Sequence, residues 1–118
     1  MDDKWNIEYY IGSSEKPPVK EFINSLNAKA QNKIFETLDL LKEFGVSLCM
    51  PHSKKLVGTP LWELRILGGD NIRIFYIART GKTFVLLHGF QKKKQKTDKK
   101  EVKTAIDRLL QYKSRTQN

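Results

Sequence analysis

The sequence predicts an α+β domain, a twisted antiparallel β-sheet packed with a helical hairpin and a C-terminal helix in the order β-α-α-β-β-β-α. Three observations predict it. One alternating segment is followed by two apolar runs at helical spacing. Three strand-like runs are then joined by short links that contain glycine, and a last amphipathic run closes the chain.

The elements follow in order. Trp5, Ile7, Tyr9 and Ile11 alternate with polar or smaller residues, the period of a half-buried strand, until residues 12–16 break the pattern. Pro17 and Pro18 suit a helix start, and Val19, Phe22, Ile23 and Leu26 follow at i, i+3, i+4 and i+7. From Ala28 a second helical run, with Ile34, Leu38 and Leu41 as its inner stripe, continues to Phe44 and stops at Gly45.

Residues 46–60 lose the period and hold two Pro and a Gly, so a loop is expected there, with one extra short strand near 55–57. LWELRIL (61–67), IRIFYIA (72–78) and TFVLLHGF (83–90) form a meander through GGDN and RTGK. Asp98 and Glu101 fit a capping box, and Val102, Ala105, Ile106 and Leu109 mark the inner stripe of the last helix, with a frayed tail expected over 114–118. Helices on one sheet face would leave the other free for function, bordered by the basic turn after Phe90.

At 118 residues, 39% of them hydrophobic, the chain is long enough for one domain, spanning 1–118, with its own core. The lone Cys49 fits a reducing compartment, and no segment approaches the roughly 18 apolar residues of a membrane span. MDDKWNIEYY lacks the basic-then-apolar pattern of a signal peptide, so a cytoplasmic protein without membrane contact is expected. The net charge is +9, and residues 92–115 carry +7 of it. A basic end of this kind suits a polyanion, either nucleic acid or an acidic protein segment, although a solvated helix face has the same composition.

Composition and spacing exclude several chemistries. His52 and His88 are far apart and lie in no cluster of liganding residues, so no metal is expected. The GGD turn lacks the spaced glycines of a phosphate loop, and no small-molecule cofactor is expected. Nothing around Cys49 (SLCMPH) suggests an activated thiol, and serine catalysis has no support.

What remains is a set of cations on strands: Arg65 beside Glu63, Arg73, and Lys92 to Lys94. Phosphodiester cleavage can use such a set when an RNA 2′-hydroxyl attacks the neighbouring phosphate. The protein must then orient the hydroxyl, remove a proton and neutralise charge on phosphorus. Arginine forks match the nonbridging oxygens, and a lysine crowded by cations can exchange protons near neutrality. A plain Arg65–Glu63 surface pair is the simpler alternative. Cooperation depends on register: a four-residue loop at 68–71 separates Arg65 and Arg73 onto opposite faces, whereas a three-residue loop or a bulge unites them. Strand parity groups His88 with Phe84, Leu86 and Phe90, as either a partly buried histidine or a proton carrier. Phe90 can stack on a base or fill the core, and Lys54 and Lys55 can contact phosphates or stay solvated.

The stretch from Lys54 to Leu110 resembles the RelE/HigB superfamily of toxins from type II toxin–antitoxin systems, most closely its phage-derived, HigB-like branch. The motifs that carry the likeness are L-W-E-L-R, R-I-x-Y and H-G-F-x-K-K, in this order and at these spacings. The resemblance implies a RelE-like fold and a ribosome-dependent mRNA endonuclease (mRNA interferase) that inhibits translation. It also implies partners: the ribosome, its mRNA, and a cognate antitoxin of helix-turn-helix, HigA-like type. Arg65 and Arg73 match positions that hold cations against the scissile phosphate. Lys92 and Lys93 match a basic turn that supplies phosphate contacts or catalytic groups, and His88 matches a histidine near the last strand. Lys54, Lys55, Lys94, Lys96 and Phe90 complete the expected RNA surface. The tyrosine that some relatives place near the last helix is missing from KTDKKEVK. A non-catalytic basic module that binds nucleic acid or a protein partner on the same scaffold is the alternative reading.

Overall fold

Each strong periodicity becomes an element in the computed structural model, which describes residues 4–96 and 99–116. The elements are β1 (Asn6–Tyr9), α1 (Pro18–Asn24), α2 (Ala28–Phe44), a 3-10 turn (Gly45–Ser47), β2 (Ser53–Lys55), β3 (Trp62–Ile66), β4 (Ile72–Arg79), β5 (Thr83–Gln91) and α3 (Lys99–Thr116).

Local chemistry sets the helical hairpin. Pro18 opens α1, where a missing N–H is no loss. Asn27 caps α2 by accepting from the Ala30 N–H at 2.9 Å. Gln31 Nε2 then donates to the carbonyls of Ile23 and Leu26, each at 3.0 Å, which ties the helices at their joint. The extra strand forms at Ser53–Lys55, slightly before the expected 55–57, because it pairs with β3 through Ser53↔Leu64. The last helix runs through Ser114 to Thr116. Asp98, the expected cap, and the tail residues 117–118 lie outside the described residues.

The sheet order is β1-β5-β4-β3-β2, and the meander is antiparallel as expected. β1 pairs with β5 in parallel, which makes the sheet mixed rather than wholly antiparallel. The docking of β1 follows from its apolar side: Trp5 stacks on Phe84 with ring centroids 4.3 Å apart, beside α2.

Both faces of the sheet are covered. On one face Leu64, Ile66, Ile72, Ile74, Phe84 and Leu86 pack under α1 and α2 through Val19, Ile23, Ile34, Leu38 and Leu41. On the other, Phe75, Ile77, Val85, Leu87 and Phe90 pack under Ala105, Leu109 and Tyr112 of α3. The expectation of a wholly open second face is therefore corrected. β4 and β5 read apolar at nearly every position, and a strand apolar on both sides needs cover on both. Arg65 and Arg73, on the α3 side of the sheet, remain partly exposed. Among the described residues no helix is long and apolar enough to cross a membrane.

Candidate active site

The link between β3 and β4 decides whether the arginines meet. The ladder pairs Ile66 with Ile72 and Arg65 with Arg73, so the connection is the five residues from Leu67 to Asn71. Gly68, Gly69 and Asn71 carry it at φ of 126°, 97° and 55°, backbone that glycine and asparagine tolerate best. This odd length places both arginines on the α3 face, directly opposite one another.

Two cations so placed repel, and Glu63 compensates. Arg65 Nε donates to Glu63 Oε1 at 3.1 Å, and Arg73 Nε lies 3.8 Å from the same oxygen. The carboxylate is 4% exposed, against 23% and 14% for the two arginine side chains. Arg73 also donates from Nη1 to the carbonyl of Ile72 at 3.1 Å, while its Nε is buried without a hydrogen bond among the described residues. Burial pulls the Arg73 guanidinium below its ordinary range; Glu63 opposes the shift and Arg65 adds to it. Two guanidinium forks set beside one buried carboxylate are an arrangement that can grip an oxyanion.

His88 and Phe90 reach this face through a bulge. Phe75 pairs with His88 but Tyr76 pairs with Leu86, so Leu87 is an extra residue in β5. The expected grouping of His88 and Phe90 with Phe84 and Leu86 is corrected accordingly. Phe84 and Leu86 point under α1 and α2, whereas His88 and Phe90 pair with Phe75 and Arg73 on the α3 face. Arg108 steadies the bulge by donating from Nη1 to the Leu87 carbonyl at 2.9 Å and to His88 Nδ1 at 3.1 Å. A guanidinium has no acceptor, so Nδ1 accepts and the imidazole proton sits on Nε2. Nε2 then donates to Glu101 Oε1 at 2.8 Å. Burial holds His88 below the ordinary histidine range; the hydrogen bond to Glu101 pulls it up, and the Arg108 charge pushes it down. Both ring nitrogens are therefore occupied in this state.

The lysines complete the surface. The Lys92 N–H donates to the Asn71 carbonyl at 2.7 Å, and Gln91 Nε2 donates to the Asp70 carbonyl at 3.0 Å, so the β3–β4 turn pins the basic loop beside Arg73. Arg73, Asn71, Lys92, Lys93 and Lys94 line a cleft of about 310 Å³. A neighbouring cavity of about 210 Å³ is walled by Phe90, Lys92, Lys93, Lys94, Lys96 and Glu101. Lys54 pairs with Glu63 across β2 and β3, which puts it on the arginine face. Lys55 pairs with Trp62, lies over that ring at 5.8 Å and donates to the Thr59 carbonyl, so it belongs to the opposite face. Phe90 is 5% exposed, with its ring centroid 5.1 Å from Phe75 and 5.5 Å from His88. It is a core ring with one edge on the cavity rather than an open stacking platform.

Two participants escape a reading of sequence. Glu101 looks like a capping residue, but its side chain is bonded to His88 and faces the lysine-lined cavity. Arg108 looks like one more solvated cation of the last helix, yet it holds the histidine. Neither contact has a local sequence signal, because each spans at least 13 residues.

The fold agrees with known proteins. The model of the phage-derived Gp49-like protein family (DUF891) matches residues 21–110. Among solved structures, the crystal structure of the archaeal RelE–RelB complex from Pyrococcus horikoshii OT3 contains a chain similar to this one, with a TM-score of 0.54 and 21% identity. That alignment covers 75% of this chain and 94% of the archaeal one, and it supports the RelE-like fold. No curated protein matches the chain. The family match spans most of the sequence, including both arginines and the basic loop, and the chain therefore belongs to the phage-derived Gp49-like family, a toxin family of RelE/HigB type.

Proposed function

We propose that this toxin is a ribosome-dependent mRNA endonuclease that inhibits translation in the cytoplasm. The observation that carries the reading is the direct opposition of Arg65 and Arg73, held by buried Glu63 and flanked by Lys92 and Lys93. A surface that only needed positive charge would not require two cations to be confined against a buried carboxylate.

The chemistry follows from this layout. The RNA supplies its own nucleophile, so the reaction needs no metal to generate one. Arg65 and Arg73 grip the nonbridging oxygens of the scissile phosphate and stabilise the charge that grows there. Lys92 and Lys93 neutralise the charge on the pentavalent phosphoryl group and donate protons to its oxygens. Lys54, Lys94 and Lys96 extend the track to neighbouring phosphates, and Phe90 lines the cavity; Lys55, on the far face, is left out of the track. The ribosome presents the mRNA, and a cognate antitoxin of helix-turn-helix, HigA-like type holds the toxin inactive. The archaeal RelE relative is itself found in a complex with RelB, which supports a protein partner but not its helix-turn-helix type.

The test is to induce the chain in bacterial cells beside Arg73→Ala and map mRNA 5′ ends by primer extension. The expected result is new ends within translated regions, absent with Arg73→Ala although that variant still binds ribosomes. Unchanged transcripts with folded wild-type protein would refute the nuclease reading and leave the basic surface as a binding module.

A further inference from the structure

The endonuclease reading leaves the proton acceptor unassigned, and one carboxylate lines the cavity that shares Lys92, Lys93 and Lys94 with the Arg73 cleft. Glu101 shares the cavity beside the arginine grip with Lys92, Lys93, Lys94 and Lys96, the cations that would draw an RNA phosphate into it. It is the only carboxylate among the described residues that line this cavity. Its side chain is 28% exposed, twice the 14% of His88, so the carboxylate is the more accessible member of the pair.

Glu101 is also oriented. A working base is commonly aimed by a second group that is itself held by a third. Here Arg108 donates to His88 Nδ1, which places the proton on Nε2, and Nε2 donates to Glu101 Oε1 at 2.8 Å. The chain of hydrogen bonds therefore runs from Arg108 through His88 to Glu101. The alternative acceptor, His88 itself, has one nitrogen filled by Arg108 and the other already protonated. The bulge at Leu87 has a purpose in this arrangement. It rotates His88 onto the face shared by Arg73 and α3, where the imidazole meets Glu101.

We propose that Glu101 is the general base of RNA cleavage, with His88 and Arg108 as the positioning residues that aim its carboxylate. This rests on the nuclease reading above. In the step, the 2′-hydroxyl oxygen forms a bond to phosphorus and its proton passes to the Glu101 carboxylate. The bond from phosphorus to the 5′-oxygen breaks with its electron pair on that oxygen, which takes a proton from a lysine ammonium of the 92–94 loop. The products are a 2′,3′-cyclic phosphate and a 5′-hydroxyl. Exchange with solvent then returns the proton of Glu101 to water and restores the lysine.

The decisive variant is Glu101→Gln, whose amide oxygen still accepts from His88 Nε2–H and so keeps the contact between α3 and β5. The full chain would be assayed on ribosomes carrying a labelled mRNA, under single turnover, across pH. A second mRNA would carry a 5′-thio leaving group at the scissile position, which departs without a proton. Ribosome affinity and the melting temperature would be followed in parallel, with Glu101→Asp as the conservative variant.

The expected result is a rate loss of at least tenfold, on the scale of about 100-fold, with both substrates and with ribosome affinity within about twofold. The acidic limb of the wild-type pH profile should disappear in Glu101→Gln, and Glu101→Asp should recover part of the rate. A loss smaller than tenfold in folded Glu101→Gln would show that the residue only docks α3 and would overturn the proposal. Restoration by the 5′-thio substrate would make Glu101 the acid, which also overturns it. Should wild-type protein itself leave ribosome-bound mRNA intact, the nuclease reading fails and this inference fails with it.

Discussion

Replacing Glu63 by glutamine keeps the shape of the side chain and removes its charge from between two arginines. The wild-type carboxylate oxygen lies 3.1 Å from Arg65 Nε and 3.8 Å from Arg73 Nε. At an effective dielectric of about 20, an ion pair near these distances contributes roughly 4 kcal/mol. The two do not simply add, because the substitution also removes the burial penalty of the carboxylate, itself several kcal/mol. Truncating one partner of a buried pair costs about 3–5 kcal/mol, and the partial exposure of both arginines lowers the expectation to about 2–4 kcal/mol. Urea unfolding at neutral pH measures it. With an m-value of about 2 kcal/mol per molar, the Glu63→Gln midpoint should fall by about 1–2 M at unchanged m. The loss should persist in high salt, which screens buried charges poorly. A midpoint within about 0.3 M of wild type would refute the argument that Glu63 holds the arginines together. The corollary concerns purpose. Replacing Glu63, Arg65 and Arg73 together by leucine should restore stability to wild type or beyond while abolishing cleavage, since a well-packed apolar trio avoids every desolvation term.

Two further predictions concern the neighbourhood of the site. Burial lowers the folded-state pKa of His88, so the unfolded chain protonates this group first as pH falls. The stability it confers is complete above the ordinary histidine value of about 6.5 and is lost as pH drops from there through the folded value, by up to about 1.4 kcal/mol per pH unit. Denaturation midpoints of wild type and His88→Gln across this window should differ by that slope, and parallel curves would mean that His88 is not held neutral. At Gly89 an added Cβ would lie 2.7 Å from Phe22 Cδ2 on α1. Gly89→Ala should destabilise the fold by about 1–3 kcal/mol, read from the urea midpoint, and an unchanged midpoint would mean that α1 shifts freely over β5.

What the sequence alone determined is whatever depends on near neighbours. Helix spacing around Ile34, Leu38 and Leu41, the start at Pro18 and the stop at Gly45, and the strand runs flanked by glycine are local patterns that one segment specifies by itself. The cations of the site were legible for the same reason, since Arg65, Arg73 and the lysines after Phe90 stand in short motifs. Tertiary structure alone decided which of them meet. The arginines share a face because the β3–β4 link has five residues, a count that depends on how the ladder closes. Parity placed His88 and Phe90 with Phe84 until one extra residue, Leu87, turned them over. β1 pairs in parallel with β5, 77 residues away at Asn6↔Thr83, and no local pattern encodes strand direction at that range. Glu101 and Arg108 acquire their partners only when α3 packs on the sheet, because a hydrogen bond between distant segments exists only after the apolar faces beneath it have been buried.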